Sequence, residues 1–89
     1  MLDTTRILAD LVRLPSVNPM GRTLTGPDYL EGRVTDYLFG RLSKIGLNPV
    51  RQTVSPGRDN VIAILPATIP DAPVFLWDAH QDTVPVDGM

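Results

Sequence analysis

The sequence predicts an α/β fold in which two helices are followed by a β-hairpin and a central strand. Three observations carry this prediction: two stretches with apolar residues at helical spacing, two loosely alternating stretches on either side of a turn, and one continuous apolar run. The chain has 89 residues, 43% of them apolar and 20% charged. This balance is typical of a globular protein, and the length allows one domain at most.

The first helix is predicted over residues 4–14, because the apolar residues there recur on one helix face. Asp3 or Thr4 can serve as its N-cap. Pro15 ends it, since a proline disfavours helical geometry in the residue before it. Residues 15–28 contain three prolines and two glycines, which predicts a long loop.

The second helix is predicted to start at residue 28 or 29 and to end at residue 45. Asp28 is its candidate N-cap, with Glu31 three residues later as in a capping box. Gly46 follows the last apolar residue and suits the C′ position. Gly40 within the helix costs about 1 kcal/mol relative to alanine, and a close packing contact is the one reason that we can suggest for it.

Two strands are predicted over residues 47–54 and 60–65, antiparallel to each other because only a short turn joins them. Pro49 predicts an edge position for the first strand. Residues 74–77 (Val-Phe-Leu-Trp), called here the apolar segment, suit a central strand buried on both faces, with Trp77 in the core. Helices on one face of three strands leave the other face bare, so we expect the opening portion of a larger α/β domain.

Charge and composition exclude several classes of function. Eight Lys and Arg against ten Asp and Glu give a net charge of −2 without a basic run, which argues against nucleic acid or a membrane surface as partner. No apolar stretch approaches the ~20 residues that cross a bilayer, and charged residues interrupt the N-terminus where a signal peptide would be apolar. The absence of cysteine excludes a disulfide framework and a thiolate metal site. We therefore expect a cytoplasmic protein.

The candidate site follows the apolar segment directly. Asp78, His80 and Asp82 alternate there and would share one face if the extended backbone continues. Ligands of open α/β sheets bind beyond the carboxyl ends of strands, and a neutral imidazole is a common zinc ligand. A neighbouring carboxylate commonly fixes the tautomer of such an imidazole. The alternative is a structural histidine that is bonded to a nearby acid.

Residues 79–85 (Ala-His-Gln-Asp-Thr-Val-Pro) resemble the first metal-binding motif of the M20 family of zinc peptidases and deacylases, which reads His-x-Asp-Thr/Val-Val-Pro after a hydrophobic strand. Residues 11–19 resemble the opening helix of that family and its Pro-Ser-x-Asn-Pro turn. Residues 38–50 resemble its second helix, which ends in Leu-x-x-x-Gly-Leu, and residues 60–63 resemble its Asn-Val-x-Ala strand. The family includes acetylornithine deacetylase, succinyl-diaminopimelate desuccinylase, aminoacylase-1 and carboxypeptidase G2.

The resemblance implies that residues 1–89 form the N-terminal portion of a zinc-peptidase-like, three-layer catalytic domain, without the dimerisation domain of the family. It implies that His80 is a ligand of one zinc in a two-zinc site. Asp82 is then the catalytic-site carboxylate that orients the metal-bound imidazole. Zinc or cobalt is the expected cofactor, and N-acyl amino acids or short peptides are the expected substrates, hydrolysed by a zinc-activated water.

The other functional groups of the family all lie downstream of this motif: its bridging Asp, its Glu general base and its remaining ligands. One histidine and no cysteine cannot fill a catalytic zinc site, which takes about three protein ligands, so we expect the 89-residue chain to be inactive alone. A second hypothesis is a non-enzymatic α/β module that covers its bare sheet face by docking onto a partner or by forming a homo-oligomer. A third is a small α/β domain in which His80 is structural.

Overall fold

The structure, a computed structural model, describes residues 2–87. Helix α1 (Thr4–Arg13) and helix α2 (Gly32–Lys44) precede strand β1 (Val50–Ser55) and strand β2 (Arg58–Ile62). The two strands form an antiparallel two-stranded sheet, and α2 packs against β2. The coarse prediction of a small mixed α/β fold with two helices and a hairpin is therefore confirmed.

Helix α1 begins and ends where the local sequence signals predict. The Asp3 carboxylate accepts a hydrogen bond from the Arg6 backbone N–H at 3.1 Å, which makes Asp3 the N-cap. The helix ends at Arg13, and Leu14 is already extended ahead of Pro15. Both ends are thus fixed by contacts within four residues.

The predicted start of α2 at residue 28 or 29 is wrong, because the helix begins at Gly32. Residues 28–30 pair instead with the first loop: the Val17 N–H donates to the Asp28 carbonyl at 2.9 Å, and the Leu30 N–H donates to the Val17 carbonyl at 2.9 Å. Backbone groups engaged in this bridge cannot form the first helical turn. Asp28 is therefore not the N-cap, and Glu31 occupies that position without a capping hydrogen bond from its side chain.

The carboxyl end of α2 agrees with the prediction for Gly46. Its φ of +94° lies in the left-handed region, and its N–H donates to the Ser43 carbonyl at 3.1 Å. Leu47 N–H then donates to the Leu42 carbonyl at 3.1 Å, which completes a C-terminal capping motif. Gly40 lies on an exposed part of the helix with nothing within 4 Å of an added Cβ, so the suggested close contact is absent there.

The hairpin is shorter than the two predicted strands. Pairing runs from Val50 opposite Ile62 to Ser55 opposite Arg58, with a bulge between Thr53 and Ser55. The first strand starts after Pro49, which has no N–H to donate. Strand β2 ends at Ile62, opposite the first residue of β1, which is three residues before the predicted boundary at residue 65.

The apolar segment is not a buried central strand, and this correction matters most for the fold. No strand is assigned to residues 74–77, and their exposed fractions run from 78% for Phe75 to 95% for Val74. Trp77 is 87% exposed and contacts Phe75 edge to face at 5.4 Å between ring centroids, so it is not a core residue. A central strand needs neighbours on both sides, and within residues 2–87 no ladder partner lies beside this segment.

The molecule consequently exposes more surface than its mass predicts. Its accessible surface is 7389 Å², whereas a folded monomer of this size exposes about 5,100 Å². Its radius of gyration is 15.4 Å, against about 12 Å for a compact chain of this length. Among the described residues, Val34 is the one buried hydrophobic residue, and Ser16, Glu31 and Thr35 are the buried polar residues.

Candidate functional site

The His-Gln-Asp segment, residues 80–82, is held against the first loop of the chain. The Thr83 N–H donates to the Ser16 carbonyl at 3.0 Å, and the Asn18 N–H donates to the Thr83 carbonyl at 2.8 Å. Val17 therefore lies in a parallel bridge with Thr83 on one side and with Tyr29 on the other. This pairing holds Thr83, directly after the His-Gln-Asp segment, against a loop more than 60 residues earlier in the chain.

The His80 imidazole is oriented by Asp82. Nδ1 lies 2.9 Å from Asp82 Oδ1 and 2.9 Å from the Asp82 carbonyl oxygen. Both of these atoms are acceptors, so Nδ1 is the nitrogen that carries a proton, and in the neutral form of the ring the lone pair is on Nε2. The side chain is 86% exposed, and within residues 2–87 no hydrogen bond engages Nε2. The imidazole thus presents an accessible donor atom in a fixed tautomer.

The Asp82 carboxylate is fully engaged. Its Oδ1 faces His80, and its Oδ2 accepts a hydrogen bond from Asn18 Nδ2 at 2.8 Å. The Asn18 hydrogen bond is the largest influence on the pKa of Asp82 and lowers it; partial burial acts in the opposite direction, and His80 lowers it further. The net pKa lies below the ordinary value of 3.8, so the carboxylate is ionised at neutral pH and available as an acceptor.

Gln81 points to the opposite side of the segment and ties it to the fold. Its Oε1 accepts from the hydroxyl of Thr35 at 2.9 Å, and its Nε2 donates to the Asp59 carbonyl at 2.9 Å. Thr35 is 1% exposed and belongs to α2, while Asp59 belongs to β2. One side chain therefore fixes the backbone between His80 and Asp82 relative to both neighbouring elements.

An ion pair closes the other wall of the site. Arg58 donates two hydrogen bonds to the Glu31 carboxylate, from Nε to Oε2 at 3.0 Å and from Nη2 to Oε1. The hydrogen bond to Glu31 raises the pKa of Arg58, against partial burial. This pair, His80 and Asp82 line an open cleft of about 310 Å³ together with residues of the hairpin.

The described residues supply one metal ligand rather than a complete site. His80 Nε2 fits a divalent transition metal, because a histidine ligand normally donates its other N–H to a carboxylate or carbonyl. Both Asp82 oxygens are already hydrogen-bonded, and Asp78 lines a different cleft, beside β2. Over residues 2–87, no three histidine, cysteine or acidic side chains are grouped closely enough to hold an ion.

The structure brings in residues for which the sequence predicted no role. Asn18 donates to Asp82, Gln81 bonds the His-Gln-Asp segment to β2, and Arg58 lines the cleft. Asn18 lies in the Pro-Ser-x-Asn-Pro turn that carries part of the family resemblance, and that shared turn was the available signal. Nothing in the local sequence marks Gln81 or Arg58, because their partners lie at least 22 residues away.

Comparison of the chain with protein-family models, with curated proteins and with solved structures gives no significant match. The helices that residues 2–87 form are too short or too polar to cross a membrane.

Proposed function

We propose that this chain supplies the first metal-binding segment of a metal-dependent amidohydrolase or peptidase of the M20 type. In this proposal His80 is a ligand of zinc or cobalt, and Asp82 orients its imidazole. The observation that supports it is the position of the imidazole: Nδ1 lies 2.9 Å from two Asp82 oxygens, and the exposed Nε2 is left as the atom that can bind a metal.

A zinc ion bound here would polarise a scissile amide carbonyl and make water nucleophilic near neutral pH. The residues of this chain have a narrower task. Asp82 holds the imidazole plane, and Gln81 fixes the backbone on either side of it. The Glu31–Arg58 ion pair lines one side of the open cleft, and in this proposal the cleft receives a small polar substrate.

The substrate class that we propose is N-acyl amino acids or short peptides, as the resemblance implies. Hydrolysis also requires a general base and further metal ligands, and residues 2–87 do not group such side chains around His80. We therefore expect no turnover of an N-acyl amino acid by the 89-residue chain with added zinc or cobalt. Measurable turnover that His80→Gln abolishes would contradict this expectation.

The metal-ligand role is tested by titrating the ¹⁵N-labelled chain with Zn²⁺ and following the imidazole nitrogens by NMR. The chain has one histidine, so the signals need no assignment between sites. We expect Zn²⁺ to shift Nε2 selectively, and Asp82→Asn to weaken binding by about tenfold or more. Asp78→Asn is the matched control, since it removes a carboxylate two residues on the other side of His80.

Two results would refute the proposal. One is a Zn²⁺ affinity that His80→Gln leaves unchanged, which would assign the ion to other side chains. The other is an equal loss of affinity in the Asp78 and Asp82 variants, which would reduce the role of Asp82 to general charge attraction.

A second candidate function, self-association, is favoured by the apolar segment. Four consecutive large apolar side chains are each at least 78% exposed, which is unusual on the surface of a monomeric protein. We propose a second copy of this chain as the occupant, through pairing along residues 74–77. The chain exposes about 2,300 Å² more surface than a compact monomer of its mass, so a second copy would cover surface that is otherwise unusually exposed.

Sedimentation velocity over a wide concentration range tests this association. We expect a dimer that Trp77→Lys dissociates and that Val12→Lys, a control at an exposed apolar position of α1, leaves intact. Burial of Trp77 at the interface predicts a blue-shifted emission maximum that moves to the red on dilution. A chain that stays monomeric and melts cooperatively at every concentration would refute the association.

A further inference from the structure

We infer that Asn18 is a positioning residue for the metal ligand, and that it acts on His80 through Asp82. The inference rests on the proposed role of His80 and adds a residue from the opposite end of the chain. Asn18 Nδ2 donates to Asp82 Oδ2 at 2.8 Å, and Asp82 Oδ1 accepts from His80 Nδ1 at 2.9 Å. The three side chains form one series of hydrogen bonds, in which the Asp82 carboxylate accepts from Asn18 on one oxygen and from His80 Nδ1 on the other.

The direction of the Asn18 amide is fixed by its own loop. Its Oδ1 accepts from the Met20 backbone N–H at 2.8 Å, an Asx-turn that leaves the NH₂ group facing Asp82. Reversing the amide would place a donor against the Met20 N–H and an acceptor against the carboxylate. The side chain can therefore offer Asp82 only a donor.

The same loop also holds the second acceptor of the His80 proton. The carbonyl of Asp82 belongs to the peptide unit whose N–H, that of Thr83, donates to the buried Ser16 at 3.0 Å. Ser16 thus holds the carbonyl acceptor and Asn18 holds the carboxylate acceptor. Residues 16–18 fix both groups that keep the proton on Nδ1, and through them the lone pair on Nε2.

A purely structural role for Asn18 would make a different prediction. Its loss would then loosen the turn and lower stability without altering the ratio of the two neutral imidazole tautomers. The tautomer ratio is therefore the informative measurement. It is obtained from long-range ¹H–¹⁵N correlation spectra of the single imidazole, recorded at a pH at which the nitrogen shifts show the neutral ring.

Asn18→Ser is the principal variant, because a serine hydroxyl can still accept from the Met20 N–H but cannot reach Asp82 with a donor. We expect the ratio of Nδ1–H to Nε2–H to fall by about threefold to tenfold, since the Asp82 carbonyl remains as an acceptor. Asp82→Asn sets the upper limit of the effect. Asn48→Ala is the matched control, an exposed asparagine that also precedes a proline and lies outside the site.

Each outcome decides a different part of the inference. An unchanged tautomer ratio in Asn18→Ser, with the Asp82 variant altered, would overturn the role of Asn18 and leave the proposed function of His80 intact. A wild-type imidazole protonated on Nε2 would overturn the hydrogen-bond series itself. If Zn²⁺ fails to shift Nε2 while the Asn18 effect is present, the positioning of the ring stands and the metal-dependent function fails. Should Asn18→Ser unfold the chain, the ratio in Asn18→Ala and the retention of folded-state amide shifts decide the question.

Discussion

The hydrogen bonds of Gln81 offer the sharpest test of how the site is held in place. Gln81→Leu removes an acceptor from the Thr35 hydroxyl, which is 1% exposed, and a donor from the Asp59 carbonyl. A buried hydroxyl without a partner costs about 1–3 kcal/mol, and the partly exposed carbonyl adds less because water can replace the amide. We expect Gln81→Leu to lower the free energy of unfolding by about 2–3 kcal/mol.

The companion variant Thr35→Val keeps the shape of the side chain and removes its hydroxyl. Alone it should cost about 1 kcal/mol, because Gln81 is partly exposed and can turn its amide toward water. In the double variant neither polar group remains without its partner. The double variant should therefore be more stable than the sum of the single effects predicts, by about 1–2 kcal/mol.

Urea unfolding followed by far-UV circular dichroism measures all members of this cycle, provided that the transitions are two-state with equal slopes. Gln52→Leu is the matched control, since it changes the same residue type on the exposed strand β1 and should stay within about 0.5 kcal/mol of wild type. Additive effects of the Thr35 and Gln81 variants would refute the hydrogen bond between them. An equal loss in the Gln52 control would show that the effect belongs to glutamine replacement in general.

Three further predictions concern the rest of the fold. Gly40→Ala should raise the free energy of unfolding by about 0.5–1 kcal/mol in the same urea experiment. Gly46→Ala, at a φ of +94°, should lower it by about 1 kcal/mol. Partial burial raises the pKa of the Asp10 carboxyl, but hydrogen bonds from Tyr37 and Arg6 outweigh it and leave the pKa below 3.8. A carboxyl pKa depressed on folding stabilises above its unfolded value, so the stability lost in Asp10→Asn should be full at about pH 6 and vanish as the pH falls below 3.8. Glu31→Gln leaves the partly exposed Arg58 without its carboxylate and should cost about 1–2 kcal/mol, and a cost that Arg58→Met does not share in a double cycle would contradict the pairing.

The elements that the sequence predicted correctly are those whose signals are local. Asp3 caps α1 through a residue three positions away, Gly46 ends α2 within the same turn, and the turn at Pro56 and Gly57 sets the antiparallel pairing of its flanking strands. In each case the determining contact lies within a few residues, so periodicity and capping rules contain the information that is needed.

The start of α2 fails for the opposite reason. Asp28 and Glu31 have the spacing of a capping box, yet the backbone at residues 28–30 is used by Val17, earlier in the same connection between α1 and α2. Glu31 is in turn engaged by Arg58, 27 residues later. Two long-range contacts outweigh a local preference of about 1 kcal/mol, and neither contact is visible in a single sequence.

The candidate site also combines a contact that is local in sequence with contacts that are distant in sequence. The pairing of His80 with Asp82 spans two residues and follows from the motif, so the sequence predicted it and the structure brings the two side chains together. Asn18, at a separation of 64 residues from Asp82, was recognised only as part of a turn. The metal itself stays a prediction, since one imidazole is compatible with both a ligand and a structural histidine.

The exposure of the apolar segment and the single ligand of the proposed metal site have a common geometric origin. Three residues of extended chain separate Trp77 from His80, a distance of about 10 Å. Any strand that pairs along residues 74–77 would therefore end beside the imidazole, at the sheet edge where α/β proteins bind their ligands. The element that buries Trp77 is thus the one placed to bring further carboxylate or imidazole ligands to Nε2. Conditions that bury Trp77 should for this reason also tighten Zn²⁺ binding at His80, and a Zn²⁺ affinity independent of Trp77 burial would separate the two proposals.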